Sequence, residues 1–273
     1  MAQCPQRIHL VISHEEIVLG AQLPKYPAVP HLVWLASVDH IKQINGCFIY
    51  DGSRVYHPDA AQAVVVQANT TIEEDLDAPM LGIYVDDQDE VCVHYENQKL
   101  NLGHRKRTDL QLLSTLIKPR EEHLRAALWP HLILRVRFPF RRNRVPYTKL
   151  PSYLVVADLF DRDHDRYLPL TSRDAVAKAV GFPILPTTVE RAFDNTKQLI
   201  AHLKHNNAGE YSDTMDMYGW RITCDYGGSS HKFQVLSPDF LALPKVENEI
   251  NRTKGTGNEG VSKDDRSLVS QGF

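Results

Sequence analysis

The sequence predicts an α+β fold of antiparallel sheets flanked by helices, and three observations carry that expectation. Apolar alternation and β-branched runs recur at residues 8–12, 33–36, 63–67, 81–85, 90–94, 132–137, 153–159 and 219–224, the two-residue period of half-buried strands. Apolar residues recur at three and four over 109–117, 120–128, 172–180 and 189–205, which predicts four amphipathic helices. Strands and helices do not alternate strictly, as a parallel βαβ sheet would require. Ser172 and Asp174 supply a start signal for the third helix. No internal repeat is visible.

Composition sets the outer bounds. At 273 residues, 42% hydrophobic and 24% charged, the chain can bury one large core or two modest ones. A net charge of -3 lacks the basic surplus of a dedicated nucleic-acid binder, so any such binding must come from a local patch. Cys4, Cys47, Cys92 and Cys224 are scattered and form no CxxC pair, which points away from a zinc site or a disulfide framework and towards a reducing compartment. The opening segment holds too short an apolar run for a signal peptide, and no run approaches a membrane span. A cytoplasmic or nuclear protein with no membrane contact is expected. Beyond about Val246 the chain is polar and rich in Gly, Asn, Ser and Lys, so residues 246–273 are expected to be a disordered tail.

Several clusters invite a functional reading. Arg135, Arg137, Arg141, Arg142 and Arg144, interrupted by Phe138 and Phe140, are the densest positive charge in the chain. They read either as an RNA-binding patch with aromatic platforms or as a solvated hairpin paired with acidic residues. Asp158, Asp161, Asp163, His164 and Asp165 alternate like a calcium loop, but Arg166 stands where that loop needs glycine and Ser172 where it needs glutamate, so a solvated turn is expected. None of the thirteen histidines shows a metal-ligand spacing, and no metal site is expected.

Five stretches, in order, resemble the motifs of one known family, the RNA ligases of the covalent nucleotidyltransferase superfamily. Lys25-Tyr-Pro-Ala-Val-Pro-His-Leu32 is similar to their lead-in. Ile72-Glu-Glu-Asp-Leu-Asp-Ala-Pro-Met-Leu-Gly-Ile83 is similar to the nucleophile motif, close to EEKLDGANLGI in active members. Val145-Pro-Tyr-Thr-Lys-Leu-Pro-Ser-Tyr-Leu-Val-Val-Ala-Asp-Leu-Phe-Asp161, followed by Arg166-Tyr-Leu168, resembles the central motif. Tyr218-Gly-Trp-Arg221 and Lys232-Phe-Gln-Val-Leu-Ser-Pro-Asp-Phe240 resemble the last two. The match runs from about Lys25 to Leu241, while 36–61 departs from it and reads as an insertion. The resemblance implies a nucleotidyltransferase (ATP-grasp-like) domain over residues 25–245, preceded by an N-terminal strand segment, 1–24.

The resemblance also implies a chemistry. Active members attack the α-phosphate of ATP with a lysine amine, aided by a divalent metal, and pass the nucleotide on to an RNA 5'-phosphate. Here the nucleophile position holds Asp75, the ribose-binding glutamate becomes Arg137, and the ring that stacks on adenine becomes Ala157. The glutamate used near the metal becomes Tyr218, and the second lysine of the last motif becomes Gln234. Asp75, Asp77, Arg137, Ala157, Asp158, Tyr218, Lys232 and Gln234 are then the expected lining of the nucleotide pocket. The expectation is a catalytically degenerate relative that binds RNA, a nucleotide-like ligand or a protein, and needs no cofactor. The alternative is a divergent, active ligase using ATP and Mg²⁺ with Lys99, in a weak KxDG-like context, as its nucleophile. Because Asp75 and Arg137 exchange the signs that the family places there, the two are expected to form a pair that closes the pocket.

Overall fold

The computed structural model describes residues 31–32, 42–44, 47–50, 53–56, 58–66, 69–95, 98–103, 107–128, 130–140, 145–206, 209–211, 217–226, 229–238 and 240. Among them the strands are β1 (His31–Leu32), β2 (Lys42–Ile44), β3 (Cys47–Tyr50), β4 (Ser53–Tyr56), β5 (Asn69–Asp75), β6 (Met80–Val85), β7 (Val91–Tyr95), β8 (Gln98–Lys99), β9 (Leu132–Arg137), β10 (Val155–Asp161), β11 (Arg166–Tyr167), β12 (Thr187–Arg191), β13 (Gly219–Tyr226) and β14 (Ser229–Leu236). The helices are α1 (Pro58–Val65), α2 (Thr108–Ile117), α3 (Glu121–Leu128), α4 (Leu170–Val180) and α5 (Thr196–His205). The expected strand segment 1–24, the strands at 8–12 and 33–36, and the tail 246–273 lie outside the described residues.

Two sheets result, in the α+β arrangement expected. One runs β12-β5-β13-β14-β1-β4-β3-β2 and the other β11-β10-β9-β6-β7-β8. Pairing is antiparallel except where β1 lies parallel to β14 and to β4. The stretch read as an insertion supplies β2, β3 and β4, a meander that extends the edge of the larger sheet.

Strand alternation sorts the larger sheet into two chemically distinct faces. On one, Ile72, Trp220, Ile222, Phe233 and Val235 pack with Ala61 and Val65 of α1 and with Leu199 and Leu203 of α5. Register places Glu73 opposite Arg221, and Gln234 opposite Arg221 from the other side, so the second face is polar. The smaller sheet divides likewise. Leu81, Ile83, Val93, Leu134 and Val136 join α2 and α3 in the main core, while Gly82, His94, Arg135 and Arg137 occupy the opposite face.

Several sequence expectations are corrected here. Residues 63–67, read as a strand, fall largely in α1, because Pro58 at the helix start and the alanines that follow favour helix over a short ambiguous apolar run. The single helix expected over 189–205 divides: β-branched Thr187, Thr188 and Val189 pair in β12, and α5 begins anew where the Asn195 side chain accepts the Gln198 N–H at 2.9 Å. Helix α4 starts earlier than its signal, with Pro169 at the cap and no side-chain cap bond, and ends at Gly181, whose φ of 72° suits glycine. No helix among the described residues is long and apolar enough to cross a membrane.

Gly82 permits a close approach that no other residue would. A Cβ there would lie 2.1 Å from Nε2 of the fully buried His94, whose ring packs edge-on against Tyr84. Gly82→Ala is therefore expected to lower stability in urea unfolding by roughly 1–3 kcal/mol, the usual range for overpacking. Trimming His94 to Ala in the same chain should recover part of that loss.

Candidate functional site

The polar faces of the two sheets meet in a cleft filled by charged side chains. At its centre Asp75, the last residue of β5, receives Arg137 Nε at 2.8 Å and Nη2 at 2.5 Å in a bidentate pair. Gln234 Nε2 donates to the same carboxylate at 2.9 Å, and the Leu76 N–H donates at 2.9 Å. The remaining Arg137 nitrogen, Nη1, reaches the Ala78 carbonyl at 2.8 Å. The expected Asp75–Arg137 pair is thus present, and it joins the smaller sheet to the end of the nucleophile-motif strand.

A second node centres on Asp158. A bulge between Val156 and Asp158 turns Asp158 into the cleft. Arg221 pairs with it, Lys232 Nζ lies 3.1 Å from Oδ1, and Arg135 Nη1 approaches at 3.9 Å. Burial alone would raise the Asp158 carboxyl, but Arg221, Lys232 and Arg135 together hold it well below the usual carboxylate range. The Lys232 ammonium is pushed below its ordinary value, chiefly by burial, with Asp158 opposing and Arg221 adding to the shift. Its remaining contacts are Thr223 Oγ1 at 3.3 Å and the face of Tyr167.

The third node ties a helix across the cleft. Arg173 of α4 holds Glu73 through Nη1 and Nη2, at 2.8 and 2.7 Å, and Nη1 also donates to the Ala157 carbonyl at 3.2 Å. Asp75 and Asp158 are fully excluded from solvent, and Arg137, Arg221 and Lys232 are at most 7% exposed. Each of these charges therefore meets its counter-charge inside the cleft rather than being presented to a ligand.

The other expected residues distribute unevenly. Tyr218 OH accepts from Gln234 at 3.0 Å, and Arg137 lies over the Tyr218 ring. Asp77 sits in the turn after β5, its N–H donating to Tyr147 OH at 2.5 Å. Ala157 does not face the cleft: its methyl packs in the main core, because the bulge turns Asp158 inward in its place. Arg135, read as part of an RNA-binding patch, is buried and donates to Tyr167 OH. Arg141, Arg142 and Arg144 lie outside the described residues. Phe138 is a core residue, and Phe140 stacks on it and meets Tyr153 edge-on, so neither ring is an open platform.

The acidic run after β10 is a turn, as expected: Asp161 accepts the N–H groups of Asp163 and His164 and pairs with His164 Nδ1 at 2.8 Å. Among the described residues no group of three or more His, Cys, Asp or Glu is placed to hold a metal.

Lys99, the alternative nucleophile, lies on β8 at the edge of the smaller sheet and is ion-paired with Asp86 at 3.1 Å. Burial lowers its ammonium, but bonds to Cys92 and Asp86 more than reverse this and hold it charged, the wrong state for attack on phosphorus. Glu73, Arg173 and Arg221 are cleft residues that motif reading passed over. The usable signal was charge alternating with Ile72, Trp220 and Ile222 along strands otherwise apolar on one face.

The energetics of the central pair follow from its burial. Asp75→Ala strands Arg137 without a counter-ion and is expected to cost about 3–5 kcal/mol in urea unfolding. Replacing both, as Asp75→Leu with Arg137→Met, should cost much less, because no isolated charge remains. A double variant as unstable as Asp75→Ala would show that the pair does not act as a unit.

No family model matches the sequence, and no curated protein matches it. Solved structures do. The RNA ligase of Naegleria gruberi, as an arginine-to-alanine variant with ATP and Mn, is similar with a TM-score of 0.52 and 14% identity, over 67% of this chain and 54% of that one. The same ligase with pyrophosphate gives a TM-score of 0.52 and 16% identity, over 67% and 53%. The chain spans about half the length of these ligases. The two packed, largely antiparallel sheets and this likeness together give the protein an RNA ligase-like nucleotidyltransferase fold.

Proposed function

We propose that the protein is a catalytically degenerate RNA ligase-like module that binds RNA, a nucleotide-like ligand or a protein partner, and does not adenylylate. One observation carries the reading: where the family resemblance expects a lysine amine, Asp75 stands in a bidentate bond to Arg137. A carboxylate there would repel the phosphates of ATP, and it is already engaged by Arg137. The cleft charges are also engaged with one another, so a nucleotide would have to break several buried ion pairs to enter. The residues present do not fit ATP and Mg²⁺ as cofactors. The buried free thiols of Cys92 and Cys224 suit a cytoplasmic or nuclear setting.

A second reading, a divergent active ligase, draws its support from Lys232. It is a lysine inside the cleft, and burial shifts it towards the neutral amine. Lys99 lies at the sheet edge outside the cleft, and its bonds to Cys92 and Asp86 outweigh burial and keep it charged.

Incubation with α-labelled ATP and Mg²⁺ separates the two. No covalently labelled band is expected after denaturation, and calorimetry should give an ATP affinity weaker than micromolar. A band lost on Lys232→Ala or Lys99→Ala would establish the second reading instead. Asp75→Lys alone is expected to restore no ligation, since Arg137, Tyr218 and Gln234 are unchanged. RNA binding is read by filter retention across salt. A steep loss of affinity between about 50 and 200 mM, flattened by Arg141→Ser, Arg142→Ser and Arg144→Ser together, marks phosphate contacts. Absence of retention would direct the function to a protein partner.

A further inference from the structure

One buried carboxylate takes no part in the cleft. Glu74 follows Glu73 and precedes Asp75 on β5, so alternation turns it to the opposite face, towards the second core. It is fully buried. Its Oε2 accepts the Glu210 N–H at 2.6 Å, and the Tyr211 N–H adds a second bond. Its Oε1 has no hydrogen-bond partner among the described residues. Gly209 packs directly on that oxygen, and a Cβ there would lie 2.9 Å from it and 3.3 Å from Met217 Cβ.

No Lys, Arg or His among the described residues forms an ion pair with Glu74. The nearby charged groups are carboxylates, the exposed Glu210 of the 209–211 segment and, behind the strand, the cleft-facing Asp75; the other titratable neighbours are the phenols of Tyr147 and Tyr211. The segment that Glu74 holds is itself a connector. The Tyr211 carbonyl accepts the N–H groups of Thr148 and Lys149 at 3.0 and 3.2 Å. Next to them Tyr147 OH accepts the Asp77 N–H in the turn that follows Asp75.

We propose that Glu74 is a proton-operated latch: as the acid it lets the 209–211 segment close over the end of β5, and as the carboxylate it drives that segment open. The inference goes beyond the reading above, and it stands whether or not the cleft binds a nucleotide. Opening hydrates a carboxylate that otherwise lies buried with no cation paired to it. It also withdraws the Tyr211 carbonyl from Thr148 and Lys149, which loosens the support of the turn beside the cleft.

The direction with pH follows from linkage. Burial, reinforced by Glu210 and Asp75 against the two backbone N–H bonds, raises the closed-state carboxyl from an ordinary 4.5 to about 7. Closure therefore takes up a proton between those values. Its stabilising contribution is complete below the ordinary value and is lost as pH rises through about 7.

Hydrogen exchange on the full chain tests this, with rates corrected for intrinsic pH dependence. Protection of the Glu210, Tyr211, Thr148 and Lys149 amides is expected to fall by roughly tenfold between about pH 6 and about pH 8. The Cys224 amide, in the centre of the β13–β14 pairing, should not change. In Glu74→Gln the pH dependence should vanish. Equal pH dependence in the variant and the unaltered chain would overturn the latch. Should the variant fail to fold, carboxyl ¹³C titration of Glu74 in the unaltered chain decides the matter independently. A midpoint near 7 supports the proposal, and one below about 5.5 removes it.

Discussion

The bidentate bond between Asp75 and Arg137 is the constraint on which the rest of the cleft depends. It spans the two sheets at the point where β5 ends and the chain turns towards β6. Neither partner can be buried alone without a penalty of several kcal/mol, so each fixes the position of the other. Gln234 and the Leu76 N–H complete the carboxylate's shell, and the Ala78 carbonyl takes up the guanidinium's remaining reach. With these groups placed, Arg221 is left to bridge towards Asp158, and Lys232 to pair with it from the neighbouring strand. The sheets are thus held together by a buried polar network where a ligand site would need free charge. Such a network specifies one arrangement of the sheets more strongly than it adds net stability.

Three consecutive acids on β5 show how strictly alternation divides environments. Glu73 and Asp75 enter the cleft and each meets an arginine, from α4 and β9 respectively. Glu74, between them, meets the Glu210 and Tyr211 N–H groups on the far side, near the Glu210 carboxylate. Burial raises both glutamate carboxyls, but at Glu73 the Arg173 guanidinium acts against that shift, whereas no cation does so at Glu74. The same strand therefore carries a structural ion pair on one face and a titratable group on the other. The difference lies in the partner and not in the residue type.

The two lysines of interest diverge for a similar reason. Lys99 sits on a two-residue edge strand within reach of Asp86, and a nearby anion keeps an ammonium charged. Lys232 lies on a central strand with Arg221 as a neighbour, where desolvation and like charge favour the neutral form despite Asp158. What sets an amine's readiness for nucleophilic chemistry is its electrostatic surroundings, which motif position does not reveal.

The amino-acid sequence by itself determined the α+β class, the order of the motifs and the pairing of opposite signs at Asp75 and Arg137. These are legible because two-residue and 3.6-residue periods are local, and because a buried charge must find a counter-charge. It did not determine that Arg173 crosses from α4 to Glu73, that Arg135 turns inward to Tyr167, or that Ala157 and Asp158 exchange faces. Nor did local pattern separate helix from strand at 63–67, or β12 from α5. Those outcomes were decided by a bulge in β10, by register between strands about 150 residues apart, and by which sheet face meets which. Periodicity assigns a residue to a face of its own element, but only non-local packing decides what that face opposes, and so which charges become partners.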